Sequence, residues 1–253
     1  MCLILFAKNA HPEYKLIVAA NRDEFYKRAT RPASFWPDHK QLLAGKDLEA
    51  GGTWMGITKQ GRLSLLTNYR DLSNIKTTAP SRGHLVTDFL LSEDNAVDYL
   101  QKVSERGHQY NGFNLISGDV NSLAYYGNYQ EGVHKLDDGI HGLSNALLNT
   151  AWPKVENGKE KLSALMAQNQ INDEQLLQLL FDNTTAPDNQ LPETGVGYEK
   201  EKMLSPMFIK SSNYGSRCST AILVTHTNEI TFVERTYNIS DFSYEDCKFQ
   251  WKL

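Results

Sequence analysis

Cysteine is scarce in this sequence and widely spaced. The chain of 253 residues contains three cysteines, Cys2, Cys218 and Cys247. An odd number of distant cysteines builds neither a disulfide framework nor a CxxC metal site, and it is typical of a reducing compartment. The seven histidines form neither an HxxxH nor an HExxH pattern, so no metal site is predicted.

Long hydrophobic runs and strong charge of one sign are also missing. The apolar stretch at the N-terminus, residues 2–7, is far shorter than the roughly 20 residues of a membrane-spanning helix. The net charge is −4, without the basic stripe that nucleic acid or a membrane surface would require. We therefore expect a soluble, cytoplasmic protein that is not an integral membrane protein and binds no nucleic acid. The sequence does not indicate an oligomeric state.

Short β-prone runs alternate in blocks with helical segments, which favours an α+β layered sandwich of mainly antiparallel strands. The segments predicted to be strands are residues 2–8, 15–21, 51–58, 62–69, 113–119, 122–128, 132–136, 220–225, 228–235 and 247–253. Helical spacing of apolar residues predicts two helices within 81–103, broken near residues 92–95, and a longer helical segment over 153–181. Proline and polar residues predict loops over 23–41 and 182–201.

Cys2 is the first residue that could carry chemistry. Aminopeptidases remove an initiating methionine when the next residue is small, and this would give Cys2 a free α-amino group. A terminal amine titrates at about 7.7 to 8.0, so it can act as a general base for the thiol of its own residue. The alternative is that Cys2 is only a small residue at the start of a strand.

Four polar residues, Asn21, Arg22, Asp23 and Glu24, directly follow the predicted strand KLIVAA. Adjacent residues of a strand face opposite sides, so these four side chains cannot all enter one pocket. At least two of them must serve structure or solvent. No histidine or second carboxylate at a helpful spacing supports metal binding by Asp23 or Glu24.

Three further polar residues, Asn68, Asn145 and Arg217, lie at the ends of predicted strands. Side-chain amides there can donate to an oxyanion, and each such donor can be worth about 3 kcal/mol in a closed site. An arginine can bind a carboxylate, a phosphate or a heme propionate through its planar fork. The alternatives are that the amides satisfy turn backbone groups and that the arginine pairs with an acidic neighbour.

Aromatic residues are frequent in the first half of the chain. Trp54 follows two glycines at the start of a predicted strand, and Tyr69 ends the next strand. Flat side chains can line a planar, largely apolar ligand, and the alternative is that they only fill the core. The residues that we predict to bind a ligand are Asn21, Arg22, Glu24, Trp54, Tyr69 and Arg217.

Eight ordered motifs resemble those of a known family: an initial MC, AANRDEFYKR, GGTWMGIT, LTNYR, SRGHLV, YNGFNL, GLSNALLNTAWPK and YGSRCSTAILV. Through these motifs, the chain resembles the NRDE-motif family, which is the family of transport and Golgi organization protein 2. The resemblance extends from Met1 to beyond Glu234. More distantly, it resembles the N-terminal-nucleophile amidohydrolases of the choloylglycine hydrolase type. The distant resemblance implies a four-layer αββα sandwich, which we expect to form a single domain over residues 1–253.

The distant resemblance also implies a catalytic set. Its nucleophile matches Cys2, and the aspartate that holds the terminal amine matches Asp23. Its two asparagines on the oxyanion side match Asn68 and Asn145, and its late arginine matches Arg217. In those enzymes the early arginine lies three residues before the aspartate, where this sequence has Ala20. Arg22 is displaced by two residues from that position, and we expect it to face differently.

The nearer family implies a role in intracellular heme trafficking and in the handling of lipids and acyl-CoA. From this resemblance we expect binding and delivery of heme, or of a similar amphipathic ligand such as acyl-CoA, with heme as cargo and no required cofactor. The residues themselves point more directly to the alternative function, an N-terminal-cysteine amidohydrolase that cleaves a carbon–nitrogen amide bond. A purely structural partner protein is a third hypothesis, and it leaves the strand-end polar residues unexplained.

Overall fold

The computed structural model describes residues 2–168 and 171–253. The chain divides into two compact units. The first comprises Met1–Lys27, Arg70–Ser73 and Asp138–Lys252, and the second comprises Arg28–Tyr69 and Asn74–Asp137 together with Leu253. The expected single domain over residues 1–253 concerns how the two units assemble, and it stays a prediction.

The strands and helices are numbered in chain order. The strands are β1 Cys2–Lys8, β2 Tyr14–Phe25, β3 Thr30–Trp36, β4 His39–Asp47, β5 Met55–Thr58, β6 Arg62–Asn68, β7 Phe113–Asp119, β8 Leu123–Gly127, β9 His134–Lys135, β10 Gly139–Leu143, β11 Tyr214–Thr225, β12 Glu229–Tyr237 and β13 Tyr244–Lys252. The helices are α1 Gly83–Leu91, α2 Ala96–Arg106, α3 Pro153–Met166, α4 Asp173–Leu180 and α5 Tyr198–Met203.

The first unit contains a six-stranded antiparallel sheet in the order β10-β1-β2-β11-β12-β13. Helices α3 and α4 pack on one face of it, where Leu162 and Leu176 join the odd-numbered residues Leu3 and Leu5 of β1 in one apolar cluster. Residues 15–23 of β2 are all buried, which explains why this strand reads as a continuous apolar run without alternation. The polar residues that follow KLIVAA therefore begin inside the sheet.

The second unit contains a seven-stranded antiparallel sheet in the order β3-β4-β5-β6-β7-β8-β9. Helices α1 and α2 pack on it through a cluster that includes Leu85, Phe89 and Leu100 from the helices and Phe113 and Leu115 from β7. Each unit thus combines one antiparallel sheet with one set of helices, which confirms the predicted α+β class.

Two parts of the chain differ from the predicted elements. Residues 23–41 were expected to form a loop, yet they hold the end of β2, all of β3 and the start of β4. Pro32 is compatible with β3 because this strand lies at the edge of its sheet and its register shifts between Arg31 and Ser34. The predicted loop over 182–201 also contains a short 3-10 helix, Asp188–Gln190, and the start of α5.

The helical segment expected over 153–181 is two helices, α3 and α4. Pro153 occupies the first turn of α3, where its missing N–H costs nothing. A capping box begins α4, because Asn172 accepts from the Gln175 backbone and the Gln175 side chain accepts from the Asn172 backbone. None of the helices described in residues 2–168 and 171–253 is long and apolar enough to cross a membrane.

Candidate active site

The Cys2 side chain shares one face of the first unit's sheet with Arg22. Cys2 begins β1 and pairs directly with Arg22 of β2, which pairs on its other side with Cys218 of β11. Directly paired residues of neighbouring strands point to the same face of a sheet. Arg22 therefore lies between two thiols, and its side chain is 5% exposed.

The displacement of Arg22 from position 20 does not turn it away from Cys2, contrary to our expectation. Ala20 pairs with Ile4, and Arg22 pairs with Cys2, so both lie on the same face. The physical reason is the period of two along a strand, which returns position i+2 to the side of position i. A guanidinium group is thus retained beside the thiol, where its charge partly opposes the rise in the pKa of Cys2 that burial causes.

Asp23 is held from β11. Its Oδ1 accepts a hydrogen bond of 2.6 Å from the Ser216 hydroxyl, and its backbone carbonyl accepts one of 3.1 Å from the Tyr214 hydroxyl. The residue is only 1% exposed, and burial raises the pKa of its carboxyl. The backbone N–H of Asp23 donates toward the Cys2 sulfur. Asp23 therefore contacts the thiol through its main chain.

The pKa of the Cys2 thiol is raised above its usual value. Burial is the main cause, and the negative charge of Asp23 adds to it, while Arg22 and the Asp23 backbone hydrogen bond act in the opposite direction. The thiol is consequently protonated near neutral pH. It needs a neighbouring base before it can act as a nucleophile.

Ser144 and Asn145 follow β10 and approach Cys2 from the strand on its other side. The Ser144 hydroxyl lies 3.0 Å from the backbone carbonyl of Cys2 and 3.3 Å from Oδ1 of Asn145. The Asn145 carbonyl accepts a 2.7 Å hydrogen bond from the Arg70 backbone N–H. Asn145 is 1% exposed. The sheet thereby places a buried side-chain amide next to the residue that carries the thiol.

Lys154 is a buried cation that the sequence analysis did not select. It lies in the first turn of α3, is 4% exposed, and donates a hydrogen bond of 3.1 Å to the Leu204 carbonyl. Burial lowers the pKa of this amine to about 8, while the charge of Asp23 opposes the shift. The attraction is mutual, because Lys154 is the strongest of the charges that lower the pKa of Asp23. The site therefore holds an amine whose pKa is about 8.

A buried ion pair supports this region. Nη1 of Arg70 lies 2.6 Å from Oε2 of Glu201, and both side chains are at most 5% exposed. The guanidinium also lies 4.8 Å from the ring centroid of Trp152, and the Thr194 backbone and hydroxyl donate to Oε1 of Glu201. The pair joins α5 and the segment before it to the residues that hold Asn145.

Arg217 occupies the irregularity of β11, where the pairing register with β2 shifts between Ser216 and Cys218. Its Nη1 donates to the carbonyls of Phe25 and Tyr26 at 3.1 and 3.0 Å. Burial and the nearby charge of Arg22 lower the pKa of Arg217. The positive charges of Arg22 and Arg217 therefore repel each other.

Asn21 and Glu24 make structural contacts within the first unit. The Asn21 amide donates to the carbonyls of Leu180 and Met207 at 3.0 and 2.8 Å, and its oxygen accepts from the Ser219 hydroxyl at 2.5 Å. Oε2 of Glu24 lies 3.8 Å from Nη2 of Arg22. These contacts agree with the expectation that at least two of the four consecutive polar residues serve structure, and the ligand-binding roles of Asn21 and Glu24 stay predictions.

Three predicted site residues belong to the second unit. Asn68 ends β6 and pairs with Phe113 of β7. Trp54 is buried against Gly45, where an added Cβ would come within 2.3 Å of the indole. Tyr69 stacks on Tyr129 with ring centroids 4.1 Å apart. The roles assigned to Asn68, Trp54 and Tyr69 stay predictions.

The first unit contains four of the five residues that we predict to be catalytic, Cys2, Asp23, Asn145 and Arg217, and Lys154 lies in the same unit near Asp23. With these residues, the chain can supply a thiol as the nucleophile and an amine or a carboxylate as the acceptor of its proton. It can also supply an amide that stabilises an oxyanion. Met1, whose removal our hypothesis requires, lies outside the described residues. No group of three or more His, Cys, Asp or Glu side chains that could hold a metal ion occurs in residues 2–168 and 171–253.

Two of the residues that sequence reasoning missed lie inside the motifs quoted above. Lys154 ends GLSNALLNTAWPK, and Arg70 ends LTNYR. One local signal could have identified Lys154. A cation in the first turn of a helix is opposed by the helix dipole, so a lysine directly after Pro153 is unfavourable unless another contact compensates. Nothing comparable distinguishes Arg70 or Glu201 along the chain.

Comparisons with known proteins identify relatives over nearly the whole chain. The profile of the family described as Transport and Golgi organisation 2 matches residues 1–239. The Transport and Golgi organization protein 2 homolog of Homo sapiens is 38% identical over 265 residues, which cover 96% of each chain.

Two solved structures share the fold. The N-acylethanolamine-hydrolyzing acid amidase ortholog of Caenorhabditis elegans aligns over 88% of this chain and 92% of its own, with a TM-score of 0.51 and 10% identity. The C2A mutant of the conjugated bile acid hydrolase of Clostridium perfringens aligns over 100% and 97%, with a TM-score of 0.50 and 8% identity. The expected α+β fold class, which is like that of the N-terminal-nucleophile hydrolases, is thereby confirmed.

Proposed function

The chain belongs to the Transport and Golgi organisation 2 family, and from this premise we propose that its first unit carries an N-terminal-cysteine amide hydrolase. The observation that carries the proposal is the environment of Cys2. Its thiol lies opposite Arg22 and accepts from the Asp23 backbone, and the Ser144 hydroxyl joins the Cys2 backbone carbonyl to the Asn145 side chain. The proteins that share the fold are named as hydrolases of N-acylethanolamines and of conjugated bile acids, which supports an acyl amide as the substrate class.

The proposed reaction begins after Met1 is removed. The new α-amine of Cys2 takes the thiol proton, and the thiolate sulfur bonds to the carbonyl carbon of the amide. Asn145 donates to the oxygen that becomes negative. The carbon–nitrogen bond then breaks, and the leaving nitrogen takes the proton from the α-ammonium group. Water next gives a proton to the α-amine, its oxygen bonds to the thioester carbon, and the thiol re-forms as the acid is released.

The side chains around Cys2 have distinct parts in this scheme. Asp23 orients the α-amine, since it is fixed in turn by the Ser216 and Tyr214 hydroxyls. Arg22 favours the thiolate. Lys154 keeps a positive charge near the Asp23 carboxylate and so favours its ionised form. The α-ammonium group loses its charge when it gives up a proton, so the nearby positive charge of Lys154 makes this group a better proton donor.

The test uses purified protein whose intact mass shows loss of Met1. N-acylethanolamines and conjugated bile acids are supplied as substrates, and release of the amine is measured. We expect turnover, with a thioester adduct on Cys2 that hydroxylamine removes. Cys2→Ala should abolish amine release, and Cys247→Ala is the matched control that should leave it unchanged. Equal activity in Cys2→Ala, or no activity on the whole panel with Met1 removed, would refute the proposal.

Carriage of heme or an acyl-CoA-like ligand is the second candidate, and one observation favours it. Arg22 and Arg217 are close enough to repel each other, so a ligand with carboxylate or phosphate groups would relieve that repulsion. The transport role in the family's name agrees with a carrier. Because a carrier must release its cargo, binding on the order of micromolar is expected.

The carrier hypothesis is tested by titrating the protein with heme and measuring transfer to an apo-acceptor. Arg22→Ala and Arg217→Ala should both weaken binding, while Arg106→Ala, at the end of α2 in the other unit, serves as the control. Heme binding no different from that of an unrelated acidic protein of similar size would eliminate this candidate. The hydrolase proposal does not depend on the result.

A further inference from the structure

Three phenylalanine rings surround the ammonium group of Lys210. Its Nζ lies 4.3 Å from the ring centroid of Phe242, 4.6 Å from that of Phe181 and 5.5 Å from that of Phe208. The three rings come from separate parts of the first unit, namely the end of α4, the segment before β11 and the turn between β12 and β13. We call Phe181, Phe208 and Phe242 the aromatic cage.

The cage holds its cation without help from an anion. Within residues 2–168 and 171–253, neither an ion pair nor a hydrogen bond engages the Lys210 ammonium. A primary ammonium is strongly hydrated and is best satisfied by hydrogen-bond acceptors, which aromatic rings do not supply. A quaternary ammonium has no N–H groups, and the faces of several aromatic rings are the usual means of binding it. The cage therefore suits a methylated cation better than the lysine it holds.

The backbone at Phe242 is strained in a way that supports the cage. Its φ angle is +57°, in the left-handed region that bulky residues rarely adopt. The turn keeps this conformation through hydrogen bonds between Asn238 and residues 242 and 243. Strain of this kind persists where the surrounding structure imposes it, and it is concentrated at ligand sites. Here it places a phenyl ring 4.3 Å from a cation.

The cage is also accessible and firmly supported. Phe208 is fully buried and packs edge-to-face on the buried Tyr237, with ring centroids 4.7 Å apart, so the floor of the cage is rigid. Phe181 is 40% exposed, and Lys210 is exposed as well. The flexible side chain of a lysine can leave such a cage without any movement of the backbone.

We propose that the aromatic cage is a binding site for a quaternary ammonium group, in which Lys210 is the intramolecular occupant. The ligand class is a choline-type cation, either as a free small molecule or as the headgroup of a lipid. The site is independent of Cys2 and of the proposed hydrolase reaction.

The first experiment measures binding of tetramethylammonium and of choline to the full chain, by saturation-transfer NMR on their methyl protons. Lys210→Ala should tighten binding, because the ligand no longer has to displace an ammonium group. Phe242→Leu keeps an apolar side chain but removes a ring, so it should weaken binding by about 2- to 30-fold. Both variants are checked for native circular dichroism.

Two controls isolate the cation. Lys59, whose Nζ lies 4.7 Å from the ring centroid of Phe35 in the other unit, supplies the matched variant, and Lys59→Ala should not alter binding. An uncharged tert-butyl isostere of choline should not bind the cage. If the isostere binds as well as choline, or if Lys210→Ala does not tighten binding, the proposal is wrong.

A second arm separates the two sources of the cation. Vesicles of phosphatidylcholine and of phosphatidylglycerol are sedimented with the Lys210→Ala protein. Retention on phosphatidylcholine alone supports a lipid headgroup, and binding of free choline without retention supports a small molecule. Absence of both, or equal retention on the two lipids without choline binding, overturns the proposal.

Discussion

Replacing Lys154 by methionine should stabilise the folded protein at neutral pH. Burial lowers the pKa of this amine from 10.5 to about 8, and this net shift already includes the opposing attraction of Asp23. Each pKa unit corresponds to about 1.4 kcal/mol, so keeping the amine charged costs roughly 3 kcal/mol even with Asp23 beside it. The variant loses the hydrogen bond to the Leu204 carbonyl, which is worth about 1 kcal/mol. The expected net gain in the free energy of unfolding at pH 7 is therefore about 2 kcal/mol.

The same substitution should change the pH dependence of stability. The folded pKa of Lys154 is depressed, so below about pH 8 the amine is charged in both states and the cost is complete. Between about pH 8 and 10.5 the folded protein releases its proton first, and the cost disappears. The stability of the native protein should thus rise relative to that of Lys154→Met across this interval. At the upper end, the native protein should be the more stable of the two by about 1 kcal/mol, which is the contribution of the hydrogen bond to the Leu204 carbonyl.

Urea unfolding of both proteins from pH 7 to about pH 10 is the assay. Lys159→Met, on the same helix but paired with Glu156 at the partly exposed surface, is the control and should follow the native curve. Alkylation of Cys2 by iodoacetamide should slow in Lys154→Met, because a cation that favours the thiolate is lost. A variant that is less stable than the native protein at pH 7, or whose stability changes with pH in parallel with it, would refute this reasoning.

Acidification should destabilise the protein through His11, whose pKa is lowered mainly by burial. The stability that it contributes is complete above its unfolded value of 6.5 and is lost as the pH falls below it, so urea midpoints should drop more steeply in the native protein than in His11→Gln. Arg70→Met should cost about 3 to 5 kcal/mol, because Glu201 then remains buried without its cation. In urea unfolding, Arg70→Met with Glu201→Gln should cost less than the two single changes added, and strict additivity would show that the pair is not coupled.

Part of the candidate site was accessible from local sequence. Cys2 was identified because a thiol next to an initiating methionine has a chemistry of its own, and the four residues from Asn21 to Glu24 because their polarity interrupts an apolar strand. Lys154, Arg70 and Glu201 were missed. Arg70 and Glu201 are separated by 131 positions, and no local pattern shows that their charges meet in the interior.

The errors in secondary structure have a related origin. Pro32 made residues 23–41 look like a loop, but proline disrupts only a ladder that needs its N–H, and whether a strand lies at an edge is decided by the strands that pair with it. The break between α3 and α4 could have been found, since Asn172 and Gln175 form a capping box that is readable from sequence.

The sequence by itself determined which segments are strands and helices wherever a period of two or 3.6 was clear, because side-chain direction follows directly from backbone geometry. It also determined the class of fold and the presence of a thiol at the second position. Only the tertiary structure decided that Arg22 lies opposite Cys2, that Lys154 is buried near Asp23, and that three distant phenylalanines surround Lys210. Register and burial depend on contacts between segments far apart in the chain, and these carry no local periodicity.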